Sequence, residues 1–440
     1  MPRPARLPPL VAGALLGLVA LVVVRLLQDG AHWNFSEGVY ALTARLLLDG
    51  QPVYGEVVAA QPPVLFVVGA GILAVSDTIE WLRLAVAALQ LGGGVLAAVA
   101  LRRLGAPRAS VAAAPALTLL LPWAVHEHGA LTPETVGLPL LLGASLLVAR
   151  RGGAPWAALL LSLAVFTKVT FLLPALALTL VAVERRRLAA WLVGALILQA
   201  GLWTAIFGGG LWDDAVVAQS DSATRSVRYL AEVLVQAGWN LAGPLAGAAA
   251  LAVLWWRARG AGADGAAAGG VLRRDPAQLR ASAALAAAML LTTGTMLKDG
   301  TALNVLVPIE AALLPVALLG LALAWRAWPA PGARAVLVVL AAFPLVQSAA
   351  LLARPDDPVV FLRPLSAVAW NRALSGQEVD REVARARACP AGVPYSGAPY
   401  LAFVAVRRMP ADQPDLFLTS RSSHLRGTLA RMNADVPRCP

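Results

Sequence analysis

The chain has 440 residues, of which 59% are hydrophobic and only 14% charged, and its mean hydropathy is +0.70. A soluble domain carries roughly 25% charged residues, so this composition excludes an ordinary globular enzyme and indicates a polytopic membrane protein. The net charge of +11 does not point to nucleic acid, because the arginines fall in short clusters between apolar runs rather than along one basic face.

In chain order, "MPRPAR" and the run from Leu7 to Leu27 come first. The start resembles a signal sequence, but the run matches the ~20 residues that span a hydrocarbon core. It reads as an uncleaved first helix, with Arg3 and Arg6 inside and Asp29 outside. The first outside loop, 28–80, contains "NFSEGVYALTARLLLDGQPVYGE" (34–56). There Ser36 is expected to cap a helix to about Leu48, with Val39, Leu42 and Leu46 on one face and Gly50 as its stop. Glu37 sits in the first turn, where the helix dipole stabilises an acid whether or not it does chemistry. The segment 61–77 is apolar but short and opens with Pro62 and Pro63. As a crossing it would put Arg102, Arg103 and Arg108 outside. As a re-entrant or interface-lying helix it leaves every arginine cluster inside.

The later spans then fall near 82–101, 109–125, 132–149, 155–167, 169–183, 189–207, 239–256, 281–297, 302–325 and 335–352, about 11 crossings in all. The clusters 102–108, 150–151, 184–187, 257–280 and Arg326 with Arg334 lie inside, and 257–280 reads as a Gly/Ala-rich cytoplasmic linker. Residues 1–352 form the membrane domain and 353–440 a small extracytoplasmic tail of mixed α/β character. Its Cys389 and Cys439, the only cysteines, suit a disulfide in an oxidising compartment; two free thiols are the alternative that thiol labelling separates.

All four histidines (His32, His126, His128, His424) and both lysines (Lys168, Lys298) fall on the predicted outside face. Only two of the 36 basic residues are Lys. Either an ammonium is wanted at these two helix ends, or both lysines snorkel to the interface. Asp213, Asp214 and Asp221 read as solvated loop acids, and Trp33, Trp123, Trp203 and Trp212 as an interface belt.

The order Glu37, Gly38, Tyr40, Ala41, "LLLDGQPVY" (46–54, ending at Tyr54) and "QPPVLF" (61–66, with Gln61, Pro62 and Pro63) resembles the first outside loop of the polyprenyl-phosphate-sugar-dependent glycosyltransferases of the GT-C fold. That group includes protein O-mannosyltransferases and the lipid A aminoarabinose transferase. "LTPETVGLPLLLGASLL" (131–147) is similar to the family's second outside acid, with Glu134 in that place. "LAVFTKVTFLLPALAL" (163–178) resembles its Lys-bearing hairpin, and "KDGTALNVLVPIEAALLP" (298–315) its late Lys-Gly-x-x-x-Asn stretch, with Asn304 as the Asn. The family often has Asp-Glu where this chain has Ser36-Glu37. Ser36 cannot serve as a carboxylate base, so either Glu37 takes the role or activity is lost or changed.

The resemblance implies a multi-pass enzyme of the plasma membrane, N-terminus cytoplasmic, with site and C-terminus extracytoplasmic. It implies transfer of a hexosyl or pentosyl group, with inversion, from a polyprenyl-phosphate-linked donor in membrane lipid to a glycan, lipid or protein hydroxyl. Glu37 would be the base, and Lys168, Lys298, Arg225 or Arg228 would hold the donor phosphate. Glu134 would hold the acceptor or, with Glu37, His126 and His128, a divalent metal. The rival readings are a transporter, which needs polar groups along the spans, and a non-catalytic scaffold.

Overall fold

The computed structural model describes residues 19, 22–23, 35–127, 129–221, 224, 226–260, 274–298, 303–353, 376–389, 399–405 and 408–435. The first predicted span, 7–27, therefore lies almost wholly outside the described residues, as do His32, Trp33, His128, Arg225 and Cys439.

The described chain is helical, and its only strand-like pairings are the isolated bridges Val53–Val57 and Thr224–Lys298. Two helices build the first loop, α1 (Phe35–Leu48) and α2 (Pro63–Leu73). The membrane region follows with α3 (Ile79–Arg103), α4 (Arg108–Leu120), α5 (Pro122–His126), α6 (Pro133–Val148), α7 (Ala154–Val165), α8 (Leu172–Val181) and α9 (Arg185–Phe207). After a short helical stretch at 210–218 come α10 (Val227–Asn240), α11 (Ala242–Gly260), α12 (Pro276–Leu291), α13 (Leu306–Ala327) and α14 (Pro331–Ala353). The tail holds α15 (Gly376–Ala388), α16 (Pro399–Ala405), α17 (Leu416–Arg421) and α18 (Arg426–Ala434).

Helix occupies every later segment read as a span, yet among the described residues only six helical runs are long and apolar enough to cross a membrane. They become seven if α10 and α11, bent by 78°, count as one. At 11 residues, α2 is about 16 Å long, roughly half the hydrocarbon thickness, as its two leading prolines suggest.

Burial orders the bundle. In α13, 83% of the apolar window is buried, against 11% in α9, so α13 is the central post and α9 an outer helix facing lipid with Ile197, Leu198 and Ile206. A Cβ on Gly320 of α13 would strike the carbonyl oxygen of Gly247 of α11; two glycines thus let the backbones touch, as small residues do where no hydrophobic force joins helices in lipid. The one acid deep in a span, Glu310, accepts from the Trp123 backbone N–H at 3.1 Å. Ser348 donates to the Leu120 carbonyl at 2.5 Å. Together they engage a backbone group on each side of the α4–α5 break at Pro122, while Glu310 Oε1 has no partner among the described residues. Trp123 is fully buried there and so is core, not interface belt.

The basic clusters around Arg103, Arg150 and Arg185–Arg187 gather at one end. Arg103 donates to the Leu146 carbonyl at 2.7 Å and to Gln278 at 3.0 Å, and Glu184 accepts from the Gly152 N–H at 2.6 Å. Residues 49–62 and 129–132, Lys168, Lys298 and helix α16 of the tail are at the other end.

Two further expectations need correction. Ser36 lies inside the first turn of α1, which begins at Phe35, so it is not the cap. The stop holds: Gly50 is left-handed (φ 76°), with the Gly50 and Gln51 N–H groups donating back to Leu47 and Leu46. The tail, expected to be α/β, is helical throughout its described residues. The run "PYLAFVA" starts a helix at Pro399 and buries six of its seven residues, largely against α1, so its strand-like apolarity reflects burial on several sides.

Candidate functional site

Motifs far apart in sequence meet at the loop end. Thr132 and Thr135 form a reciprocal capping box at the start of α6, which fixes the first turn and with it Glu134. The fully buried Glu134 carboxylate pairs with the Lys168 ammonium, and its other oxygen accepts from Asn304 Nδ2 at 3.1 Å. Three separately read segments therefore supply one buried cluster. The Val64 N–H donates to the Phe166 carbonyl at 3.1 Å, so the Pro-Pro helix α2 docks against the turn that carries Lys168.

Glu37, also fully buried, lies in a second pair. Arg83 of α3 donates from Nε to Oε1 at 2.9 Å and from Nη2 to Oε2 at 2.6 Å. Burial pushes the Glu37 carboxyl above the usual range, Arg83 pulls it back, and the nearby Glu127 adds to the rise. Tyr40, one turn along α1, is held protonated by burial and by the charges of Glu134, Asp415 and Glu127, with Gln61 hydrogen-bonded to it. The Tyr54 hydroxyl donates to the Gln61 carbonyl at 2.5 Å, and Tyr54 is left-handed (φ 68°). The loop before Pro62 is thus pinned by a bulky residue in a costly conformation.

Lys298 stands differently from Lys168. Its ammonium lies 3.4 Å from Gln219 Oε1, and Gln219 in turn donates to the Ala60 carbonyl at 2.9 Å, beside Gln61. No carboxylate among the described residues pairs with it, and partial burial lowers its pKa.

Other predicted residues are not gathered. The Arg228 side chain is 88% exposed and pairs with Glu232 on its own helix. His126 contacts Glu127 at 3.2 Å. Among the described residues no group of three or more His, Cys, Asp or Glu is arranged to hold a metal. Cys389 is buried and disulfide-bonded. Of the three loop acids Asp213 and Asp221 are exposed, as expected, and Asp214 is buried; Asp221 also accepts from the Ser423 N–H at 2.6 Å and Ser423 Oγ at 2.7 Å, anchoring the tail. Asp214 accepts from the Ala59 N–H at 3.1 Å.

The Asp214 carboxyl is pushed up to about 6 by burial, with Asp213 and Asp415 adding to it and the Ala59 N–H and His424 opposing. Unfolded, it titrates near ~3.9. The folded state therefore holds this proton more tightly, and the stabilisation it brings is full below about pH 4 and lost as pH rises to about 6, up to about 3 kcal/mol. Asp214→Asn should flatten the thermal-stability profile over that window and raise the melting temperature at pH 7; a profile unchanged from wild type contradicts this.

No protein-family model matches the chain, and no curated protein matches it by sequence. Solved structures do. ArnT from Cupriavidus metallidurans bound to undecaprenyl phosphate superposes with a TM-score of 0.57 at 18% identity, over 97% of this chain and 89% of that one. The same protein in the apo state gives 0.56 at 20% identity, over 90% and 85%. The chain has the GT-C fold.

In this GT-C architecture the sequence reading missed Arg83, Glu127, Tyr400 and Glu310. Arg83 carried a signal, since an arginine near the head of an apolar run of 25 residues requires a partner. Glu127 lay within the "HEH" stretch (126–128) read only as a possible metal group, and not as a neighbour of Glu37. Tyr400 had no local sign.

Proposed function

We propose that the protein is an integral membrane glycosyltransferase moving a monosaccharide from a polyprenyl-phosphate donor to an acceptor hydroxyl at the extracytoplasmic edge of the bilayer, with inversion. Whole-chain likeness to a structure of ArnT bound to undecaprenyl phosphate supports the donor class. The observation that carries the reading is the convergence at one end of Glu37–Arg83, Glu134–Lys168–Asn304 and Lys298, which pairs with no carboxylate among the described residues. The basic clusters toward the opposite end support a cytoplasmic placement of that end by the charge rule.

The donor's leaving group is already a phosphate anion, so the protein has to place it, stabilise its charge and take one proton. Lys298 supplies the charge, because Lys168 is committed to Glu134 and Arg228 to the surface. Glu37 takes the proton from the acceptor hydroxyl. Arg83 fixes the orientation of the Glu37 carboxylate through two charge-assisted bonds. Because Glu37 and Glu134 already have side-chain cations, neither is offered as a metal ligand.

The proposal is tested by transfer of labelled sugar from a panel of polyprenyl-phosphate monosaccharides. Lys298→Met should lower kcat/KM by about 10- to 100-fold, the worth of one hydrogen bond to a charged group, mainly through the donor KM and with thermal stability retained. The full burial of Glu37 favours a second reading, a scaffold in which the pair only anchors α1. Transport is tested by uptake of labelled solute into vesicles.

A further inference from the structure

The tail reaches into the buried pairs. Helix α16 lies so close on α1 that a Cβ at Gly38 would collide with the Tyr400 backbone. Two arginines at this contact are built alike. Arg83, paired with Glu37, places its guanidinium 5.6 Å from the Tyr400 ring centroid. Arg45 bonds Asp77 at 2.6–2.7 Å, donates to the Phe403 carbonyl at 2.8 Å and stacks 3.7 Å over the Phe403 ring. Glu37 and Arg45 are eight residues apart on α1, and Tyr400 and Phe403 three apart on α16, so each pair of positions shares a helix face. Tyr400 and Phe403 are each only 1% exposed.

We infer that the C-terminal tail is a working part of the site: Tyr400 is a positioning residue that holds the Arg83 guanidinium against its ring and thereby keeps the Glu37 carboxylate fixed. Phe403 does the same for Arg45, which ties the end of α1 to the loop before α3. The face of an aromatic ring attracts a guanidinium, and the attraction grows when both are out of water. Removing the ring while keeping an apolar side chain leaves the guanidinium less firmly oriented, and its two charge-assisted bonds to the carboxylate weaken.

The inference rests on the reading of Glu37 as the base, so its test has one readout independent of transfer. Full-length protein in membranes is treated with dicyclohexylcarbodiimide, which modifies protonated carboxyls in apolar surroundings, and labelling of Glu37 is read by mass spectrometry. Tyr400→Leu should raise Glu37 labelling at least severalfold, while Tyr400→Phe, which keeps the ring, stays at the wild-type level. Phe403→Leu serves as the packing control: it should lower the melting temperature without exposing Glu37. Equal labelling in Tyr400→Leu and wild type, or equal gains in Tyr400→Leu and Phe403→Leu, overturns the inference.

Transfer kinetics give the second readout. Tyr400→Leu should lower kcat about tenfold, in the range such contacts provide, with donor KM unchanged. The acid limb of its pH profile should move to higher pH, because the pull of Arg83 on Glu37 weakens. Labelling that rises with kcat and the acid limb unchanged upholds the positioning and removes Glu37 as the base. An unchanged label overturns the positioning whatever the activity.

Discussion

Membranes carrying Glu37→Gln are expected to transfer sugar about 10²–10⁴ times more slowly than wild type, the usual contribution of a positioned general base. Glutamine keeps the shape of the side chain, and its amide oxygen still accepts from Arg83, but it cannot take a proton. The comparison has to be made at equal amounts of folded protein, because the substitution leaves the buried Arg83 without its countercharge. Raised above the ordinary carboxylate range by burial, the Glu37 carboxyl is a better proton acceptor than a solvated glutamate. Transfer by Glu37→Gln at the wild-type rate would make Glu37 an anchor of α1 and move the search for a base to Glu134.

The second large effect is on stability. Arg83→Met should cost about 3–5 kcal/mol, the usual penalty for removing one member of a buried ion pair. Glu37 and Arg83 are 0% and 1% exposed, so water cannot take over the lost interaction. The double change Glu37→Met with Arg83→Met should recover most of that loss, since an apolar pair of similar volume often serves as well. Melting temperatures of the purified single and double variants read this directly. An Arg83→Met protein as stable as wild type, or a double variant no better than the single, contradicts it.

Much of this fold is legible in sequence because its main signal is local. Apolar runs bounded by arginine clusters placed helix at every later span, and Pro62 and Pro63 marked α2 as too short to cross. The site was legible as a set of residues but not as a set of pairs. Glu134, Lys168 and Asn304 come from three helix ends, and nothing in their spacing says that one carboxylate engages both of the others. The same holds for Lys298, whose separation from Lys168 in role depends on which of them meets an acid. Contacts made by the tail were out of reach: Arg45 and Phe403 are 358 residues apart. The apolar run around Phe403 fits strand or helix equally by pattern, and only its packing on α1 decides. Glu310 gave no signal of its role, because its partner is the broken end of another helix.

The most direct measurement of the central claim is transfer of radiolabelled sugar by wild-type protein, in membranes, from a panel of polyprenyl-phosphate monosaccharides. The account predicts release of polyprenyl phosphate and labelled product from at least one donor, with the anomeric configuration inverted. Uptake of labelled solute into vesicles with no transfer from any donor would contradict it.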